Sequence, residues 1–266
     1  MLARVKCELN GVYTIWYRDV LRFFANKSRI VASFGQPMLF LFVFGSGLAS
    51  AMSGLGGGAV DFRVFMFPGV LGMNVLFAGV FSGISVVWDR EFGFLREVMV
   101  APVSRTAVAL GKVAGGSTVA MMQGAILLLL APLIGVEIGL VQALEVFGLL
   151  LLLAAVMTSF GLMVAARQKS VEGHQVVMQF LLMPMLFLSG AFFPLEGAPA
   201  WLGAVARANP VTYGVDPLRR VMLADTVPPQ ALDALTLYTV PVSLAVLAAF
   251  GAVFLTAAVA LFGKRD

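Results

Sequence analysis

The chain has 266 residues, 60% of them hydrophobic and only 12% charged, with a net charge of +4 and a mean hydropathy of +0.96. Ordinary soluble domains carry roughly 25% charged residues, so this composition excludes a water-soluble globule and points to an integral membrane protein. One cysteine, Cys7, and one histidine, His174, exclude an internal disulfide and any His/Cys metal cluster of recognisable spacing.

The first residues, MLARVKCELN, carry no signal-peptide pattern, and no removal of a leader is expected. Residues 1–29 read instead as a cytoplasmic amphipathic segment. Val12, Trp16, Val20 and Phe23/Phe24 recur at helical spacing, while Arg18, Arg22 and Arg29 share another face. That pattern predicts a helix lying in the membrane surface, aromatic side down and arginines toward anionic headgroups. A plain positively charged flank that sets topology reads equally well.

Crossing about 30 Å of hydrocarbon takes roughly 20 mostly apolar residues. Six stretches qualify: Ile30–Ala51, Phe62–Val87, Thr106–Ile134, Val141–Ala166, Val176–Leu195 and Leu237–Gly263. Residues 30–266 are therefore expected to form one six-span, all-α membrane domain. Lysine and arginine concentrate before the first span, between the second and third, after the fourth and after the sixth, which places both termini in the cytoplasm. The exceptions are Arg63, Arg207, Arg219 and Arg220. The last three lie in the long outer segment between the final spans, whose amphipathic stretches predict short helices in or dipping into the outer interface.

Between the second and third spans runs WDREFGFLREVMVAPVSR, Trp88 to Arg105. Asp89/Arg90 and Arg96/Glu97 fall on one side of a helix, Phe92, Phe94/Leu95 and Val98 on another, and Pro102 ends it. A loop that only holds topology needs no such apolar face. A docking helix does, because apolar residues supply the contact and flanking charges set partner and register.

Within the spans, acidic, basic and imidazole groups are almost absent, which weighs against proton coupling and against an intramembrane hydrolase. Asn74, Gln123 and Gln179 are candidates for lining a substrate path, with hydrogen bonding between helices as the plainer role. Two glycine pairs at GxxxG spacing, Gly79/Gly83 and Gly111/Gly115, permit close helix contact, and Pro37, Pro68 and Pro184 are expected to bend their spans. A phosphate-binding loop is missing. Its nearest approach, Gly111-Lys112-Val113, lacks the hydroxyl and the first glycine, so ATP could act only through a partner.

Taken in order, Gly35-Gln36-Pro37, Phe44-Gly45-Ser46-Gly47-Leu48, Phe67-Pro68-Gly69, the Trp88–Arg105 stretch, LSGAFFPL and NPVTYGVDPLR resemble the type-2 permeases of ABC exporters. The similarity is strongest to the branch of daunorubicin-resistance-type permeases and nodulation lipo-oligosaccharide exporters. It implies a non-catalytic membrane subunit that forms a homodimer and pairs with two ATPase subunits in a bacterial plasma membrane. ATP and magnesium would be bound by the partner, and no cofactor by this chain. The cargo would be a drug-like amphipathic compound or, alternatively, a lipid-linked oligosaccharide, polysaccharide or glycolipid. A membrane enzyme or scaffold is the reading from another class. By position, Glu91 to Val100 would be the coupling helix, with Asp89, Arg90, Glu91, Phe92, Phe94, Leu95, Arg96, Glu97 and Val98 as ATPase-coupling residues. Trp16, Arg18, Arg22, Phe23 and Phe24 would serve the interface helix. Pro194 to Tyr213 would be a re-entrant outer element carrying Phe193, Pro194, Trp201, Asn209, Pro210 and Tyr213.

Overall fold

A computed structural model of the chain describes residues 2–44, 47, 62–92, 103–193, 195 and 199–263. All regular structure among them is helical. Helix α1 spans Leu2–Ala25, and α2 spans Lys27–Leu39 before widening into a π turn at Phe40–Phe44, just after Pro37. A proline that removes one N–H and crowds the preceding turn is a common cause of such widening. The rod that follows consists of α3 (Phe62–Ser82) and, after a turn residue at Gly83, α4 (Ile84–Glu91). Then come α5 (Arg105–Leu128), a 3₁₀ turn (Ala131–Ile134), α6 (Leu140–Ala165) and α7 (Val171–Phe187). Three short helices, α8 (Ala200–Ala208), α9 (Thr212–Met222) and α10 (Pro229–Leu235), lead to α11 (Val240–Gly263).

The core lies where α3 crosses α5 and α6. Every residue from Val64 to Leu76 is buried, so α3 is enclosed on all sides. Phe67, Leu71, Leu150, Leu153 and Met157 are among its largest fully buried side chains. Glycines set the approach of these helices. A Cβ at Gly83 would meet the carbonyl of Gly161 at 2.6 Å, and one at Gly161 would strike the carbonyl of Val80, so α3, α4 and α6 touch backbone to backbone. The second glycine pair serves another contact: a Cβ at Gly111 would meet Ile15, and one at Gly115 would meet Asp19, both at 2.9 Å, so it seats α1 on α5.

Three helices among the described residues are long and apolar enough to cross a membrane: Phe62–Glu91, Leu140–Ala165 and Val240–Leu261. The outermost is decisive, because Val240–Leu261 reaches a hydropathy of 2.5 with only 11% of its most apolar window buried inside the chain. Such a surface is stable against hydrocarbon and not against water. The chain is thus a multi-pass membrane protein. The other expected spans also contain helices. However, α2 and α7 are short at 13 and 17 residues, and α5 carries Lys112 and Gln123.

Two boundaries differ from the sequence expectation. The second span continues through Asp89 and Arg90 to Glu91, so these residues end a rod rather than begin a separate helix. The fifth helix starts at Val171, because the Ser170 hydroxyl caps it by accepting from the Gly173 N–H at 3.2 Å. It stops at Phe187, ahead of a turn in which Gly190 takes a left-handed φ of 78°. Between α7 and α11, all but one of the residues of α9 are buried, and it packs against α3, α6 and α11.

Candidate functional site

The ends of α4, α6 and α11 and the starts of α5 and α7 gather at one end of the bundle, alongside α1. Here the segment 93–102 leaves and re-enters the described structure. Its departure point is fixed by charge. Asp89, at the end of α4, is 5% exposed. Its carboxylate accepts from Arg18 of α1 at 2.9 Å and from Lys112 of α5 at 3.0 Å, with Arg22 at 3.7 Å. Lys112 Nζ, equally buried, also donates to the Ser85 hydroxyl at 2.9 Å and lies 3.5 Å from Asp19. One carboxylate thus joins three helices. Breaking such a buried pair leaves a charge stranded, which is why removing one partner is costly.

The next two residues tie the rod to a second place. Arg90 Nη1 donates to the carbonyls of Ala166 at 3.2 Å and Gln168 at 2.7 Å, so its cation caps the C-terminal end of α6. Glu91 accepts from the Val171 N–H at 3.0 Å, placing an anion on the N-terminus of α7. Phe92 is then 79% exposed. At the re-entry point Ser104 caps α5, its hydroxyl accepting from the Ala107 N–H at 3.2 Å while donating to Glu8 of α1 at 2.6 Å. Glu8 also accepts from the Ser104 N–H at 3.0 Å. The described residues on either side of 93–102 are therefore both fastened to α1, Asp89 through Arg18 and Ser104 through Glu8. Phe94, Leu95, Arg96, Glu97 and Val98 lie outside the described residues.

Helix α1 turns a different face to the bundle than its pattern suggested. Phe23 is buried, Ile15 packs into the groove at Gly111, and Trp16 donates its indole N–H to the Thr118 hydroxyl at 3.0 Å. The stripe left exposed is Val5, Leu9, Tyr13, Tyr17, Leu21 and Phe24. Arg18 and Arg22 both approach Asp89, at 2.9 and 3.7 Å. The candidate path residues are likewise not gathered: Asn74 and Gln123 are buried on α3 and α5, whereas Gln179 is exposed in an open groove of α7 with Val176, Phe180 and Met183. Ser82 and Ser159 each donate back to a carbonyl of their own helix at 2.6 and 2.7 Å, and Ser189, just past α7, donates to the Leu186 carbonyl at 2.6 Å.

At the opposite end, the NPVTYGVDPLR stretch forms a latch. Asn209 donates to the Met185 carbonyl at 2.6 Å and accepts from the Val211 N–H at 3.1 Å. Tyr213 donates to the Arg207 carbonyl at 2.8 Å and stacks on Tyr238 with ring centres 5.0 Å apart. Asp216 accepts from the N–H groups of Leu237 and Tyr238 at 2.9 and 2.8 Å, just before α11. Arg219 is 3% exposed. It donates to the carbonyls of Gly190 and Ala191 at 3.0 Å each, and its guanidinium sits 4.2 Å from the centre of the Phe65 ring. Burial lowers its pKa to about 10, against the opposing pull of Asp216, so it stays charged at neutral pH. Pro210 is buried in the same latch, Phe193 and Trp201 are exposed, and Pro194 lies outside the described residues.

Glu8, Asp19, Ser85 and Ser104 were not singled out from the sequence, and Arg219 stood out only as an exception to the charge rule. The available signal was Lys112, a cation inside an apolar helix that demands a carboxylate, with Asp19 and Asp89 at the same end of the chain's other helices.

An apolar bundle with one heavily charged, α1-clasped end is the architecture of a multi-pass membrane protein. Comparison with known proteins gives the class a family: the model of the ABC-2 type transporter matches residues 10–223, and the chain belongs to that family. Among curated relatives, a putative transport permease, ycf38, of Cyanophora paradoxa is 29% identical over 71% of this chain and 66% of its own length. Nodulation protein J of Rhizobium leguminosarum bv. trifolii is 28% identical over 88% of this chain and 89% of its own. A probable multidrug ABC transporter permease, YbhR, of Escherichia coli is 24% identical over 62% and 45%. Membership implies a transport subunit that works with an ABC ATPase.

Proposed function

We propose that the chain is the transmembrane subunit of an ATP-driven exporter that moves a hydrophobic or amphipathic, drug-like compound out of a bacterial cell across its plasma membrane. The observation that carries this reading is the clasp around segment 93–102. Its two ends are bound to α1 through Asp89–Arg18 and Ser104–Glu8, so a push on the segment is delivered to α1, α4 and α5 together. The ATPase subunit binds ATP and magnesium, docks on Phe94 and Leu95, and drives the rod α3–α4. This chain contributes no catalytic group. Six crossings, with both termini in the cytoplasm, put the clasped end on the ATPase side.

Two copies of the chain and two ATPase subunits complete the exporter. The exposed stripe of α7, Val176, Phe180, Met183 and Phe187, is the face we assign to the second copy. An amide such as Gln179 within that stripe is poorly served by hydrocarbon and well served by a helix partner or a polar path. The test is ATP-dependent export in inverted vesicles containing both subunits. F94S/L95S is expected to abolish export while membrane insertion is retained, and full export by that variant would refute the assignment.

A second reading, export of a lipid-linked oligosaccharide or glycolipid, draws support from match length. The nodulation-protein relative aligns over 88% of this chain and the multidrug-permease relative over 62%. Stimulation of ATP hydrolysis by one cargo class and not the other separates them.

A further inference from the structure

We propose that the cavity between α1, α4 and α5 binds the phosphate of an anionic membrane phospholipid, with Arg22 as its cation. The cavity holds about 60 Å³ and is lined by Asp19, Arg22 and Phe23 of α1, by Ser82 and Ser85 of the rod, and by Gly115 and Val119 of α5. That is room for one small polar group, not for a drug-sized molecule.

Charge selects the occupant. Among the described residues, the cluster beside the cavity holds three cations, Arg18, Arg22 and Lys112, against two carboxylates, Asp19 and Asp89. Lys112 is committed to Asp89, Asp19 and Ser85, and Arg18 to Asp89 and Asp19. Asp19 lines the cavity, but it lies 3.5 Å from both Arg18 and Lys112, so its charge is already matched. The surplus resides on Arg22, whose side chain is 51% exposed and whose ion-pair contact, to Asp89, is long at 3.7 Å. Ser82 and Ser85 donate their protons to the carbonyls of Gly79 and Ser82, so the guanidinium is the donor that meets an incoming anion.

The helix itself argues for a lipid rather than a free ion. Along α1, Arg18 and Arg22 sit on the border between the face buried on α5 and the exposed stripe of Tyr13, Tyr17, Leu21 and Phe24. A phospholipid places its phosphate at such a border and its chains along the apolar side. Bound there, it would draw Arg22 away from Asp89 and so touch the same carboxylate that anchors the segment 93–102. The proposal rests on α1 lying at a membrane surface and does not depend on ATP coupling, so it is tested with this chain alone.

The experiment is native mass spectrometry of the full chain released from nanodiscs containing phosphatidylglycerol and phosphatidylcholine. Wild type is expected to retain one phosphatidylglycerol, and R22Q to bind it about fivefold more weakly, the contribution of one cation at an anionic surface. R22K should retain it. Phosphatidylcholine retention should be low in all three, and millimolar inorganic phosphate should not displace the lipid. Should R22Q fail to fold by thermal melting, V119L, which narrows the cavity and leaves every charge in place, should weaken retention instead. Equal retention by the folded variant and wild type, equal retention of phosphatidylcholine, or displacement by inorganic phosphate would each overturn the site.

Discussion

The two ends of the bundle both bury charge, but they satisfy it differently. At the clasped end, buried charge is met by side chains: Asp89 pairs with Arg18 and Lys112 on two other helices, and Asp19 pairs with Lys112 across helices and with its own neighbour Arg18. At the latched end, Arg219 and Asp216 are satisfied by backbone, the carbonyls of Gly190 and Ala191 and the N–H groups of Leu237 and Tyr238. A side-chain pair can exchange partners as helices shift, whereas a bond to backbone fixes one segment to another. The difference suits an assembly pushed at the clasped end and held at the latched one.

Substitutions at Asp89 should break that comparison most visibly. Asp89→Ala parts the buried Lys112 ammonium from its nearest carboxylate, leaving it Ser85 at 2.9 Å and the more distant Asp19 at 3.5 Å, and is expected to cost about 3 to 5 kcal/mol of stability, read from melting in detergent. Adding Lys112→Met removes the stranded charge and should recover most of that loss, because Arg18 retains Asp19 at 3.5 Å. Arg219→Leu should cost about 3 kcal/mol by leaving the carbonyls of Gly190, Ala191 and Leu235 without this donor. No second substitution should rescue it, since its partners are backbone atoms. A rescue there, or none at Asp89, would erase the distinction between the ends.

Smaller effects sharpen it. Glu8→Gln keeps one acceptor oxygen for Ser104 and is expected to cost about 1 kcal/mol, yet it should loosen the return of segment 93–102 and raise cleavage there by added protease. At Asp216, burial lifts the carboxyl above its ordinary 3.8 despite the two N–H donors. The native state then holds that proton more tightly than the unfolded chain. This group's contribution to stability is greatest below pH 3.8 and declines as pH rises through the native value. Melting of Asp216→Asn should lack the decline that wild type shows as pH rises above 3.8.

Much of the architecture is legible in the letters because long apolar runs have one meaning in a chain this poor in charge. The rods at Phe62–Glu91, Leu140–Ala165 and Val240–Leu261 follow from that alone. Faces are harder. Helix α1 carries two apolar stripes, and periodicity cannot say whether Trp16 and Phe23 or Tyr13 and Tyr17 meet protein; the glycines at 111 and 115 of α5 decide it, far along the chain. Asp89 and Arg90 read as the polar side of a docking helix because local pattern shows neither Lys112 nor the carbonyl ends of α6. Arg219 looked like an exception to the charge rule for a similar reason: its partners are main-chain atoms, which leave no signature in side-chain letters.

The central claim is that an ATPase subunit seats on the segment between Glu91 and Ser104. Its most direct test is co-purification of that subunit with the full chain in mild detergent, comparing wild type with F94S/L95S at equal membrane insertion. The account predicts a stable complex for wild type and loss of the ATPase from the variant. Retention of the ATPase by both to the same extent would contradict it.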